Sequence, residues 1–156
     1  MKKLIFTSVL SIFSIFNLSA QTNDASISKL YQNYLSITTA LTADNSNEAS
    51  KNADLFLKSA AMVDYKVLSE GNLDILRTDA TKIAESRSIE TQRESFGKLS
   101  KNMIWLTKKF KLADESVFIM YCPMVDASWL SAEKVVKNPF YGSSMLSCGS
   151  VKSEIK

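Results

Sequence analysis

Histidine is missing from all 156 residues, and cysteine, proline and glycine are scarce, at two, two and four. The absent imidazole removes the usual general base, the commonest zinc ligand and the usual switch near neutral pH. A cysteine nucleophile normally needs such a base beside it. Cys122 and Cys148 also do not stand in a Cys-x-x-Cys arrangement, so no enzyme activity is expected. No linker rich in proline or glycine divides the chain. Charge of one sign is lacking too: without Lys2 and Lys3, the 19 basic residues become 17 against 16 acidic. That balance leaves no basic stripe, and no nucleic-acid binding is expected. Beyond the first 20 residues no apolar run is long enough to span a bilayer.

What is present begins with an export signal. Lys2 and Lys3 form a positive start, Leu4 to Leu18 an uncharged apolar stretch, and Leu18-Ser19-Ala20 a small-residue cleavage site before Gln21. The apolar run of about 15 residues is broken by Ser11, Ser14 and Asn17 and falls short of the roughly 20 that a spanning helix needs. No cysteine sits at the cut to take a lipid. The expectation is a signal peptide over 1–20 and one domain over 21–156. The product would be periplasmic or secreted, without stable membrane insertion.

Four stretches carry apolar residues at alternating spacings of three and four, the mark of a helix with one buried stripe. They are Ile27, Leu30, Tyr34, Ile37 and Leu41; Ala49, Ala53, Phe56, Ala60, Val63 and Val67; Leu73, Leu76, Ala80 and Ile83; and Ile89, Phe96, Leu99, Met103, Leu106 and Phe110, with Gln92 in one stripe position. Met62 and Met103 sit near these stripes and are read as core, and Trp105 as a widening of the last buried face. Asp44-Asn45-Ser46 reads as a turn with a helix cap, Glu70-Gly71-Asn72 as a second break, and Ser88 as a cap. The spacing predicts helices near 26–42, 47–68, 72–86 and 89–110. Short connections make an all-α, up-down four-helix bundle the economical arrangement.

After Asp114 the pattern changes. Val117 to Tyr121 is an apolar, partly β-branched run, readable as one short strand ending at Cys122-Pro123. From there to Gly149 both prolines and two of the glycines occur, and no helical period is sustained. An irregular segment laid on the bundle is expected, with at most a small β element, all of it after Asp114. Gly142 and Gly149 are read as positions of positive φ. Trp129, Phe140 and Tyr141 are read as packing that holds the loop, and Arg93-Glu94 as solvated or capping residues.

The 117–149 segment carries the only chemistry. Two sulfur pairs bracket it, Cys122 with Met124 and Met145 with Cys148. Thiolate and thioether are soft ligands that suit Cu(I) better than zinc, magnesium or calcium. The same residues also fit a disulfide with packed methionines, or two free thiols. The spacing leaves all three open.

Tyr121-Cys122-Pro123-Met124, Trp129-Leu130-Ser131, Asn138-Pro139-Phe140-Tyr141-Gly142 and Met145-Leu146-Ser147-Cys148-Gly149, with Arg93-Glu94-Ser95-Phe96 and Leu99-Ser100 upstream, resemble the DUF3347 family. That family comprises exported Bacteroidetes-type proteins and C-terminal domains of copper and silver efflux adaptors. This chain is shorter than the family pattern at one place, with only Val125 to Ser128 between Cys-Pro-Met and Trp-Leu-Ser. The resemblance implies a link to heavy-metal handling. The expected function is a periplasmic Cu(I)-type binding or efflux-accessory protein, with metal-efflux components as partners and Cys122, Met124, Met145 and Cys148 as ligands. The alternative is a non-enzymatic structural or interaction module held by a Cys122–Cys148 disulfide.

Overall fold

A computed structural model describes residues 22–156. The expected signal peptide therefore lies outside the described residues. In chain order the elements are β1 (Thr22–Asn23), α1 (Ala25–Thr42), α2 (Ser46–Ala61), α3 (Glu70–Glu85), α4 (Ile89–Leu106), β2 (Phe110–Lys111), β3 (Val117–Cys122), β4 (Ala127–Ser131), a short 3-10 helix (Gly142–Met145) and β5 (Ser150–Ile155). Among the described residues no helix is long and apolar enough to cross a membrane.

Each helix starts where a side chain can satisfy free backbone donors. Asp24 accepts from the amides of Ser26 and Ile27 at 2.9 and 3.3 Å, Asn45 from Glu48 at 3.0 Å, and Ser88 from Thr91 at 3.3 Å. The exception is Ser69 before α3, which makes no side-chain cap bond. The stripes then face one core: Ile27, Leu30, Tyr34, Ile37, Leu41, Phe56, Leu73, Ile83, Phe96, Leu99 and Met103 are all completely buried. Burial of each large side chain contributes about 1.5–3 kcal/mol.

Successive helices pack on one another, and small residues set how closely. Ala49, Ala53 and Ala60 give α2 a low buried face. Asn33 of α1 can therefore donate to the Leu55 carbonyl at 3.1 Å, and Asn52 of α2 returns a bond to the Ser36 carbonyl at 3.1 Å. Gln92 occupies its stripe position because its amide nitrogen reaches carbonyls from two other elements, Ser46 at 2.9 Å and Ile83 at 3.2 Å, and Ser86 at 2.9 Å. Such bonds offset the desolvation that would otherwise exclude an amide from a core.

The all-α expectation is overturned. Beside the four helices stand five strands in two sheets. β3, β4 and β5 form an antiparallel three-stranded sheet in the order β4-β3-β5, larger than the small element expected. β3 buries one face (Phe118, Met120 and Cys122) and, on the other, Val117, and such a strand needs hydrogen-bonded partners on both edges. A tight turn supplies β4, with Met120 opposite Trp129, and the chain end supplies β5, with Val117 opposite Ile155. The second sheet also breaks the expected limit at Asp114, since β1 pairs in parallel with β2, Thr22 against Phe110.

Two helices end early. α2 stops at Ala61, not near 68, because Asp64 forms a turn: its side chain accepts from Lys66 N at 2.8 Å and its carbonyl from Val67 and Leu68. The turn returns Val63 and Leu68 to the core, and Val67 packs half-buried against it, so the stripe through Val63 and Val67 runs on after the helix has ended. Glu70 and Gly71 consequently belong to α3 and are not its boundary. α4 stops at Leu106, where Thr107 caps it, and Phe110 is buried from β2. Met103 is core as expected, but Met62 is 81% exposed at the end of α2 and Trp105 is 46% exposed.

Tyr34 joins the helices to the sheet. Its hydroxyl accepts from the Leu130 amide of β4 at 3.1 Å and lies 2.7 Å from Ser100 Oγ on α4. Burial, partly offset by these bonds and one from Thr38, pushes its pKa up to about 12, so it stays a neutral phenol. Its ring stacks on Phe96, Phe96 meets Phe140, and Phe140 meets Trp129 edge-on at 6.0 Å. This aromatic line carries the packing from α1 through α4 into the C-terminal loop.

Candidate functional site

The site is built where β3 ends. Pro123 opens a turn over 123–126, and Asp126 closes it at φ 47°, a left-handed conformation that a short polar side chain tolerates. Asp126 also accepts from the Tyr121 hydroxyl at 2.8 Å across the turn. Cys122, the last residue of β3, is completely buried. Cys148 follows the 3-10 helix, with its amide on the Met145 carbonyl at 3.0 Å, and is half-buried. The two Sγ atoms are 2.7 Å apart.

Asn138 brings Cys148 to Cys122. It is completely buried, and its side chain donates to the Cys148 carbonyl at 2.8 Å and accepts from the Phe140 amide at 2.8 Å. Its own amide donates to Leu146 O at 2.8 Å and its carbonyl accepts from Gly142 at 3.0 Å. Four bonds from one residue thus close the loop 138–148. Gly149 then lets the chain turn flush onto β3: at φ 135° a side chain there would press on the Tyr121 carbonyl and the Trp129 ring.

A second anchor ties this loop to the helices. Arg93 of α4 donates to Pro139 O at 2.9 Å, to Leu41 O at 3.0 Å and to Asp44 at 2.5 Å. The other Asp44 oxygen accepts from the Ser143 amide at 3.0 Å. Gly142, at φ 56°, lies directly against this ion pair. The two expected positive-φ glycines are thus both present. Arg93, by contrast, is no solvated residue, since its side chain is only 16% exposed.

Hydrogen bonds from Ser143, side chain and backbone, and then from Arg93 lower the Asp44 pKa from 3.8 to about 2. A carboxyl lowered by folding contributes stability above its unfolded pKa and loses it as pH falls through the folded one. Acid titration between about pH 4 and 2 should therefore release the 139–143 loop. Amide exchange at Ser143, followed over that range, should speed up in the wild type and be already fast in Asp44→Asn.

The thiols are unequal. Burial pushes Cys122 up, but hydrogen bonds from the Cys148 thiol, the amides of Val125 and Met124 and the Asn138 side chain more than reverse this, leaving it below the ordinary thiol value. Cys148 is raised by the hydrogen bond it gives Cys122, by burial and by the adjacent negative charge. Of the two, the buried Cys122 is thus the more acidic and Cys148 the more accessible.

Of the four expected ligands, the fold brings two together. Met124 is in the β3–β4 turn and 66% exposed, and Met145 ends the 3-10 helix at 38% exposed. Metal–thiolate bonds of about 2.3 Å set two ligating sulfurs roughly 3.7–4.6 Å apart, so the 2.7 Å spacing is too close for a shared ion. A disulfide requires about 2.05 Å. The donor set fits Cu(I) in kind; at 2.7 Å the two sulfurs are free thiols in close approach, nearer to disulfide spacing than to that of two ligands on one ion. Asp44, Arg93, Asn138 and Tyr34 were not assigned to the site from sequence. Only Asn138 carried a usable signal, an Asn before Pro139 that can bond its own backbone two residues on.

Compared with known families, residues 30–115 match the one described as Protein of unknown function (DUF3347). No curated protein and no solved structure matches the chain. The matched span runs from α1 through β2 and ends before both cysteines. It covers more than half of the 156 residues, and the chain belongs to the DUF3347 family.

Proposed function

We propose that this protein is an exported, non-enzymatic module whose C-terminal face is fixed by a Cys122–Cys148 disulfide. The observation that carries the reading is the 2.7 Å approach of the two sulfurs, held by Asn138. In an oxidising compartment the pair gives up two protons and two electrons to a disulfide-carrying oxidant and closes. The buried Cys122 and the more accessible Cys148 are the reverse of a catalytic pair, in which the low-pKa sulfur must be reachable. The closed bond instead fixes the C-terminal loop, whose exposed residues Ser143 to Ser147, with Met124 and Val125 of the β3–β4 turn, face a partner. Intact mass of protein taken from the periplasm without reductant tests this. A mass lighter by the two thiol hydrogens, restored by reductant, is expected, and fully alkylatable thiols would overturn it.

The soft donor set supports a second reading for the reduced protein: Cu(I) binding by Cys122 and Cys148, helped by Met124 or Met145, in an accessory role to metal efflux. The sulfurs must then move apart by roughly 1–2 Å to admit the ion. Cu(I) competition against a chelator should rank the reduced wild type tightest and a double Met→Leu variant weaker, with the double Cys→Ser variant lacking specific binding. Equal affinity for wild type and the Cys variant removes the metal role.

A further inference from the structure

On the opposite side of α4 from the helical core, a cleft of about 610 Å³ opens between that helix and the sheet. Its size falls within the roughly 300–1,000 Å³ of small-molecule sites. The floor is apolar, from Gly97 and Ile104 of α4 with Ile119 and Ala127 of the sheet. Three local departures from regularity converge on it, the pattern expected where a sequence serves something besides folding.

The first departure is a β-bulge in β5. Pairing steps from Ile119 with Ser153 to Met120 with Val151, so Lys152 is an extra residue. In a regular strand neighbours point to opposite faces; here Lys152 and Ser153 both line the cleft. A bulge is a known means of re-aiming a side chain. The second is Asp126 at positive φ, on the cleft rim. The third is Gly97 in the middle of α4, where glycine costs about 1 kcal/mol relative to alanine. An added Cβ would sit in ordinary contact with Phe140 at 3.4 Å, so crowding does not demand the glycine.

The cleft is lined by three lysines, Lys98, Lys101 and Lys152, against two carboxylates, Glu94 and Asp126. Lys98 pairs with Glu94 at 3.1 Å, and Asp126 on the rim is held by the Tyr121 hydroxyl. Among the described residues no carboxylate pairs with Lys101 or Lys152, although Lys152 lies over the Tyr121 ring at 5.3 Å. Two ammonium groups beside an apolar floor, with the Ser128 and Ser153 hydroxyls, suit an acid group carried on a hydrocarbon body. We propose that this cleft binds a small organic anion with an apolar body, its acid group held by Lys101 and Lys152.

Octanoate and octanol are the probes, followed by amide shifts in isotope-labelled, oxidised protein. Octanoate should move the amides of Gly97, Lys101, Ser128 and Ser153, and octanol should bind about tenfold more weakly. The exposed double substitution Lys101→Glu with Lys152→Glu should lose about tenfold in octanoate affinity, while the charge-matched control Lys58→Glu with Lys66→Glu should not. Equal affinity for octanol, an unaffected double variant, or shifts confined to the separate groove at Leu35 and Trp129 would each overturn the proposal. Binding to anionic lipid vesicles without binding of free octanoate would overturn it as well.

Discussion

Oxidised protein should melt about 10–15 °C above the same protein kept in reductant, and the double variant Cys122→Ser with Cys148→Ser should match the reduced form in either buffer. A bond between Cys122 and Cys148, 26 positions apart, closes a loop for which chain-entropy arithmetic gives about 3.5 kcal/mol. That is a large share of the roughly 5–15 kcal/mol that holds a small domain together. The bond should act fully because its ends are already in place: Cys122 is fixed in β3 by β4 and β5, and Cys148 by Asn138. Little native strain should offset the loss of unfolded-state freedom. Calorimetry with and without reductant checks this, and coincident melting of all three samples would remove the disulfide from the account.

The helices were legible because their signals are local. Spacing of three and four marks a buried stripe wherever the chain continues, and Asn45 and Ser88 mark starts through bonds to residues three positions on. The early end of α2 was not legible, because Val63 and Val67 continue the spacing of three and four past Ala60 even though Asp64 turns the chain. The sheet was hidden for another reason. β3 was visible as an apolar run, but β4 is too short to show a period, and β5, Ser-Val-Lys-Ser-Glu-Ile, is exposed along nearly its whole length. Its pairing depends on backbone groups that every residue type carries, so nothing in its composition announces it.

The candidate site divides the same way. Soft donors at Cys122, Met124, Met145 and Cys148 could be named from residue type alone. Which of them meet depends on a loop conformation set from far away. Arg93 and Asp44, 49 positions apart, hold the loop against the helices. Tyr34 and Leu130, 96 positions apart, hold the sheet to α1. A single sequence does not display such pairs.

Asn138→Ala should destabilise the protein by roughly 2–5 kcal/mol. Alanine leaves the Cys148 carbonyl and the buried Phe140 amide without their partners, and each unsatisfied buried group costs about 1–3 kcal/mol. The loss should be local in its spectroscopic signature. Asn138 makes no hydrogen bond to α1–α4, so far-UV helicity should persist at low temperature. The near-UV signal should fall, because Trp129 and Phe140 lose the loop that fixes their edge contact. Asn138→Asp separates the two bonds: it keeps an acceptor for Phe140 but sets a carboxylate against the Cys148 carbonyl, so it should rescue little. Disulfide closure supplies the second readout. If Asn138 is what presents Cys148 to Cys122, both variants should form the bond more slowly from reduced protein at equal oxidant. Closure at the wild-type rate together with an unchanged near-UV spectrum would show that Asn138 does not hold the site.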